Sequence, residues 1–445
     1  MLFFGEDQTM FKTFCKYVSL NVLGMIALSC YILADTFFVS QGLGTNGLTA
    51  LNLAIPIYSF IHGTGLMIGM GASSKFSILK GQNEHDRANQ AFMYALYLGA
   101  FFAIVYVLIG LFFCEPLLAL FGAQDAVMDL SLVYLRTILS FSPFFILNNI
   151  VLCFVRNDGS PQLSMAGMII GSFSNILLDW VFIFPCGWGM FGAAFATGLA
   201  PIISLCITSM HFLQKKNTFH VSRCTFSMPQ ALQIVSMGLP SLVTEAASGI
   251  VIILFNMLFM HLDGNTAVAA YGIVANISLV VLSFFTGIAQ GIQPILSKAY
   301  GQQNHRALQK TYGYAIKTML VYAIFVFLFL VWKSDGITTI FNSQQNEHLQ
   351  VLANQGIVLY FIACPFAGFN IITSITFSST QLTVYGQILS LLRSLILIVP
   401  MALLLAFTLG IPGVWLSFPV TEILVSLYGF TLTKKKISTR CRDFL

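Results

Sequence analysis

Apolar blocks of about 20 residues or more recur from Phe14 to Thr433, separated by short polar connectors. A helix rises about 1.5 Å per residue, so each block is long enough to cross a hydrocarbon core of roughly 30 Å. The pattern predicts about twelve helices, at 14–38, 47–76, 91–113, 128–155, 162–184, 190–213, 231–261, 266–298, 310–332, 348–380, 383–408 and 412–433. The fold class expected is an all-α integral membrane protein. Blocks running past 30 residues read as tilt or as extension beyond the bilayer.

The chain repeats itself. Gly44, Ala50, Gly71, Gly81, Gln82, His85 and Tyr94 reappear as Gly264, Ala270, Gly291, Gly301, Gln302, His305 and Tyr314, all at an offset of 220. Phe121 and Phe341 keep that offset, and Gly192 matches Gly413 at 221. Because the matches include Gln and His, apolar composition alone does not account for them. They predict two pseudo-symmetric six-helix lobes, 1–220 and 221–445, entering from the same side as parallel repeats, which is one transporter plan. The basic connector "QKKNTFHVSRCTFSMPQ" at 214–230 joins the halves.

Composition sharpens this picture. Of 445 residues, 57% are hydrophobic and 8% charged, which leaves no room for a soluble domain. The N-terminal "MLFFGEDQTMFK" lacks a basic n-region and a small-residue cleavage site, so no removable signal peptide is expected. Nine cysteines show no CxxC or His/Cys spacing, and neither a disulfide nor a cysteine metal site is assigned. The net charge of +5 does not point to nucleic acid, because its placement has another reason. Lys12, Lys16, Lys75, Lys80, Arg87, Arg156, Lys215, Lys216, Arg223, Lys298, Arg306, Lys310 and the tail "KKKISTRCR" fall at the termini or in alternate connectors, while "SQGLGTNG" and "HLDGNT" have no Lys or Arg. This is the positive-inside pattern. It predicts a multi-pass protein of the inner (plasma) membrane with both termini cytoplasmic.

Four acids fall well inside the predicted spans: Asp35, Asp179, Glu245 and Glu422. An intramembrane carboxylate is costly and marks a functional site by default. With the orientation above, Asp35, Asp179 and Thr197 lie in one layer roughly 8 to 10 Å below the outer surface. Asn175, four residues before Asp179, shares its helix face one turn deeper. Two carboxylates in low dielectric cannot both ionise comfortably, and an oxygen-rich cluster suits a proton or a hard cation such as sodium. The alternative is that these acids only satisfy nearby polar groups. Glu245, among small neighbours in "LPSLVTEAASGIV", fits a proton site, a substrate wall or a structural hydrogen bond; for Glu422 the structural reading is preferred. Arg136 and Arg393 also interrupt apolar helices. Walker, GxSxG and HExxH motifs are absent, so no nucleotide-powered pump, serine hydrolase or zinc protease is indicated, and no enzyme is expected.

The segments "ADTFFVSQGLGTNGLTALNLAIPIY", "FVRNDGSPQLSMAGMIIGSFSNILLDWVFIF", "GWGMFGAAFATGLA" and "GIAQGIQPILSKAYGQQNHRA" resemble the multidrug and toxic compound extrusion (MATE) family, in particular its prokaryotic branch with acids in helices 1 and 5. The resemblance covers nearly the whole chain. It implies a MATE-like fold of two lobes around a central cleft, exporting organic cations by sodium or proton antiport. The N-lobe cation site so implied falls on Asp35, Asn175, Asp179 and Thr197, which would hold Na+ or carry a proton. Tyr31, one turn before Asp35, matches an aromatic position near that site. Tyr31, Glu245 and Gln290 are the candidates for substrate contact or a second proton site. One departure matters: some relatives bend helix 1 at a proline, and this helix has none between Phe14 and Ser40.

The expected partners are small organic cations or amphiphiles and membrane lipid, without nucleic acid, acting on a monomer. No cofactor is expected beyond the coupling ion, H+ or Na+. With 42 Phe and 17 Met, an adaptable aromatic and thioether-lined cleft is readily built, although most of these residues must face lipid or other helices. Two rival readings are a lipid or lipid-linked sugar flippase, which would need more basic residues in the membrane, and a membrane-embedded enzyme, which would need a nucleophile or metal cluster.

Overall fold

A computed structural model describes residues 2–120, 125–222, 224–342 and 345–442. Phe121 and Arg223 lie outside the described residues. The described chain is helical, and nine helices are long and apolar enough to span a membrane, with a tenth if one bent pair is counted as a single span. Two of these are double. A continuous run, Leu2–Gly81, breaks at Gly44 with φ 66°, and Met228–Gly301 breaks at Asp263 and at Gly264, also φ 66°. Counting each as two gives twelve spans: α1 (2–43), α2 (45–81), α3 (His85–Phe112), α4 (Asp125–Ser140 and Ser142–Asn157), α5 (Pro161–Ile183), α6 (Gly189–Thr208), α7 (228–262), α8 (265–301), α9 (His305–Phe341), α10 (Glu347–Ser379), α11 (Thr383–Leu409) and α12 (Ile411–Arg442). The protein is a multi-pass membrane protein.

The breaks follow from local chemistry. A side chain at φ near +66° crowds the following carbonyl, so glycine is the residue that reverses the chain at 44 and again at 264. The 47° bend within α4 falls at "SFSP", where Pro143 opens the second segment without a donor for the turn behind it. Asn304 caps α9 by accepting from Ala307 N at 2.9 Å, and Asn346 caps α10 by accepting from Leu349 N at 3.2 Å.

The helices divide into two compact units. The first is Ser19–Ala246 with Ser297–Gln303, and the second is Met1–Val18, Ala247–Leu296 and Asn304–Leu445. The repeated glycines explain why the units exchange helix ends. In the first unit, a Cβ on Gly71 of α2 would collide with Ile234 O at the start of α7. In the second unit, a Cβ on the repeat partner Gly291 of α8 would lie 2.8 Å from Val18 Cα near the start of α1. Backbones that approach this closely accept only glycine, and the same solution is used twice.

The connector after α6 is fastened to the first unit. Phe219 is fully buried among Phe76, Phe92, Phe154 and Phe212, with ring centroids 4.7 to 5.9 Å away. Asp158, at the end of α4, receives hydrogen bonds from Lys80 Nζ at 2.7 Å, Thr218 N at 2.7 Å and the Thr218 hydroxyl, and pairs with His211 Nε2 at 3.0 Å. Burial pushes the Asp158 carboxyl up, but the hydrogen bonds from His211, Lys80 and Thr218 outweigh it and hold it below the ordinary carboxylate range.

Two basic residues grouped with the connectors in the sequence lie elsewhere. Lys75 is buried in α2, and Arg156 is buried in α4, where Nη1 donates to Asn21 Oδ1 at 2.7 Å. Arg156 is tolerated there because a side chain far away in sequence accepts a hydrogen bond from it.

Candidate functional site

Gly167, Gly171, Asn175 and Asp179 recur every four residues and form one stripe along α5. The two glycines let α6 come close: a Cβ on Gly171 would be 3.1 Å from Ala200 O, and one on Gly167 would be 2.7 Å from Thr208 Cγ2. The stripe therefore continues into a contact with Thr197, one turn before Pro201. With its amide turned to satisfy both neighbours, Asn175 donates to Asp179 Oδ2 at 3.1 Å and accepts from Thr197 N at 3.2 Å. The Thr197 hydroxyl donates to Ala193 O at 3.0 Å.

Asp35 reaches the same place from α1. Gly24 packs against Met168, and Gly42 against Ile183, so α1 and α5 run side by side in the same direction, with Asp35 and Asp179 in the interval between these contacts. The two acids interact electrostatically. Asp35, Asn175, Asp179 and Thr197 are all buried, at 7%, 0%, 0% and 4% exposure. Among the described residues, Asp35 Oδ1 and Asp179 Oδ1 have no hydrogen-bond partner. Buried polar atoms in this condition call for an explanation, because each unmade bond costs about 1 to 3 kcal/mol. Two unsatisfied carboxylate oxygens on neighbouring helices fit a proton or a hard cation such as sodium.

Aromatic hydroxyls extend the cluster. The Tyr31 and Tyr58 hydroxyls are 2.8 Å apart. Tyr134 of α4 is buried beside Thr197 and lies in the field of both Asp35 and Asp179. Tyr58 and Tyr134 were not singled out from the sequence. A signal was present for Tyr58, which lies 14 residues after Gly44 while Tyr31 lies 13 before it, and so at the same level of a hairpin. Glu245 is brought beside this group: its Cβ would lie 3.0 Å from a Cβ on Gly63, and it interacts electrostatically with Tyr58.

The remaining candidates lie in the second unit. Gln290 is buried there on α8. Glu422 of α12 is bound by Arg393 of α11, whose Nη2 and Nε donate to Glu422 Oε1 at 2.6 and 3.0 Å. Asn370 Nδ2 adds a bond to Glu422 Oε2 at 2.6 Å. Arg393 sits in a π turn, Leu392–Ile396, the one irregular stretch within α11. These two charges of the apolar helices neutralise each other.

The family model MatE matches residues 21–181 and 240–404, which is well over half of the chain. The chain belongs to the MatE family. MatE proteins are transporters, not enzymes. The chain is 22% identical over 428 residues to the multidrug export protein MepA of Staphylococcus aureus, covering 96% of this chain and 94% of that protein. It is 24% identical over 328 residues to MepA of Staphylococcus saprophyticus, covering 73% and 71%. Among solved structures, an outward-facing multidrug resistance MATE transporter superposes with a TM-score of 0.90 at 24% identity, covering 97% of this chain and 96% of that one. A MATE protein in complex with MaL6 gives 0.90 at 25% identity and 97% of both chains. The fold of this MatE chain is therefore that of the MATE transporters.

Proposed function

We propose that this protein is a secondary exporter of organic cations or amphiphilic drugs, driven by inward flow of H+ or Na+ through Asp35, Asn175, Asp179 and Thr197. The observation that carries this reading is the pair of buried carboxylate oxygens, Asp35 Oδ1 and Asp179 Oδ1, left without partners on neighbouring helices. Those oxygens gain from holding a proton or cation, and lose that gain when it leaves. Exchange, as opposed to leak, then requires that substrate and coupling ion weaken each other's binding. The name carried by the staphylococcal relatives, multidrug export protein, supports the substrate class.

The alternation of basic connectors supports an orientation with both termini in the cytoplasm and the acid pair towards the outer face. The internal repeat supports two evolutionary halves, 1–220 and 221–445. A flippase for pyrophosphate-linked sugars gains nothing from Arg393 or Arg156, because Arg393 is already paired with Glu422 and Arg156 is held by Asn21, Met70 and Cys153.

The test is ethidium efflux from proteoliposomes under separately imposed proton and sodium gradients. Wild type should respond to at least one gradient. Asp35→Asn and Asp179→Asn should each abolish gradient-driven efflux while the protein remains folded. Normal rates in both variants would sink the proposal.

A further inference from the structure

The geometry points to His62 as a second protonation site of the export cycle, supplied from the acid pair through the Tyr31–Tyr58 hydroxyl pair and sensed by Asn149. This rests on the antiport reading above, with the proton as coupling ion.

α1 and α2 are the arms of a hairpin turning at Gly44. Measured along the arms from that turn, Asp35 lies roughly 13 Å away, the two tyrosines roughly 20 Å and His62 roughly 27 Å. The series therefore spans about half of a hydrocarbon core of roughly 30 Å. Tyr31 follows from Asp35 by one turn of α1, the tyrosine hydroxyls meet at 2.8 Å, and His62 is one turn beyond Tyr58. The His62 ring lies parallel to that of Tyr58, with centroids 6.0 Å apart and planes 16° apart. His62 is half-buried.

Each hydroxyl in the pair accepts a proton on oxygen and passes its own to the next group. Both tyrosines end neutral, and the last transfer, through one water, leaves Asp35 ionised and His62 as imidazolium. The titratable group facing His62 is Tyr58 on its own helix, which in turn lies in the field of Asp35 on α1 and Glu245 on α7 and meets the Tyr31 hydroxyl. From α4, the group that faces it is Asn149.

Asn149 makes the change in charge mechanical. Its Nδ2 donates to Phe145 O at 3.2 Å and lies 3.3 Å from His62 Nδ1, an arrangement that requires Nδ1 to be an acceptor. An imidazolium donates from both nitrogens. On protonation, Asn149 must turn its amide oxygen to Nδ1 and give up Phe145 O, within a helix already in tight contact with α2 at Gly65 and Gly69. Proton arrival is thereby converted into strain between α2 and α4.

The experiment measures ethidium efflux and ethidium counterflow in proteoliposomes between pH 5.5 and 8.5, with elution profile as the check on folding. His62→Gln should reduce proton-driven efflux at least tenfold and keep counterflow, which needs no net proton movement; His62→Asn repeats the test should the first variant elute as aggregate. Asn149→Asp gives the imidazolium a carboxylate partner and should move the alkaline limb of the efflux profile up by about one pH unit. That shift should vanish in the Asn149→Asp/His62→Gln double variant. A wild-type profile in both His62 variants, or a shift that persists in the double variant, overturns the inference. Efflux driven by sodium but not protons also overturns it, while leaving the antiport reading intact. Normal transport by Asp35→Asn and Asp179→Asn would instead remove that underlying reading.

Discussion

Asp158→Ala should unfasten the connector after α6 from the first unit. The Asp158 side chain has 0% exposure and accepts from Lys80, His211 and Thr218. Its removal leaves His211, also at 0% exposure, with neither ring nitrogen partnered, since Nδ1 already lacks a partner. Breaking a buried ion pair by deleting one member costs about 3 to 5 kcal/mol. The Lys80 side chain is 29% exposed and can return to water, which places the loss at the lower end, about 3 kcal/mol. For a unit of this size that corresponds to about 6 to 12 °C in apparent melting temperature. The assay is thermal unfolding in detergent followed with a thiol-reactive dye, which reports Cys114, Cys153 and Cys364 as they leave their buried positions. The control is Arg87→Ala, whose i,i+3 pair with Glu84 is 63% and 39% exposed and should shift melting by less than about 2 °C. The Asp158 carboxyl is held below its unfolded value of about 3.9. The difference between wild type and variant should therefore be complete at pH 6 to 8 and shrink as the pH falls below about 4 towards the folded value. A shift under about 2 °C at pH 7, or one that does not diminish in acid, would refute the reasoning.

In the second unit, Glu422→Gln should cost about 3 kcal/mol by leaving Arg393 buried without its carboxylate, whereas an Arg393→Met/Glu422→Leu double variant should recover most of that loss, read by the same melting assay. Gly44→Ala places a Cβ in otherwise open space at φ 66° and ψ −157°, a region essentially confined to glycine, so it should cost only the conformational strain of about 1 to 3 kcal/mol; a loss beyond about 4 would mean that Gly44 has a further role. In a cysteine-free background, single cysteines at exposed Thr45 and Asn46 should react with an impermeant maleimide in intact cells, and those at exposed Gln82 and Gln302 only after permeabilisation. Reversal would translocate most of the 21 basic residues, against about 2.3 kcal/mol per charge per 100 mV, so external labelling at either glutamine would overturn the orientation.

The sequence by itself determined the twelve spans, because apolar length and glycine punctuation are local properties. Helix ends differed by several residues: the second span, expected at 47–76, runs from 45 to 81. The repeat matched Gly44 with Gly264 but not their role, which the structure supplied: both adopt the same positive φ where the chain turns. Asp35, Asn175, Asp179 and Thr197 were legible as a group because depth in a bilayer follows from counting residues along a straight helix, and the four-residue stripe on α5 fixes a face. Rotation and partnership were not legible, because they depend on which helix packs where. Only the tertiary structure decided that Tyr58 meets Tyr31, that Tyr134 joins Thr197, that Asn149 faces His62 and that Arg393 is spent on Glu422. The same holds for Arg156, which reads as a connector charge until Asn21, 135 residues earlier, accepts a hydrogen bond from it. Periodicity and composition fix what each helix must bury, while hydrogen-bond partners contributed by distant segments are fixed only by helix rotation and close glycine contacts.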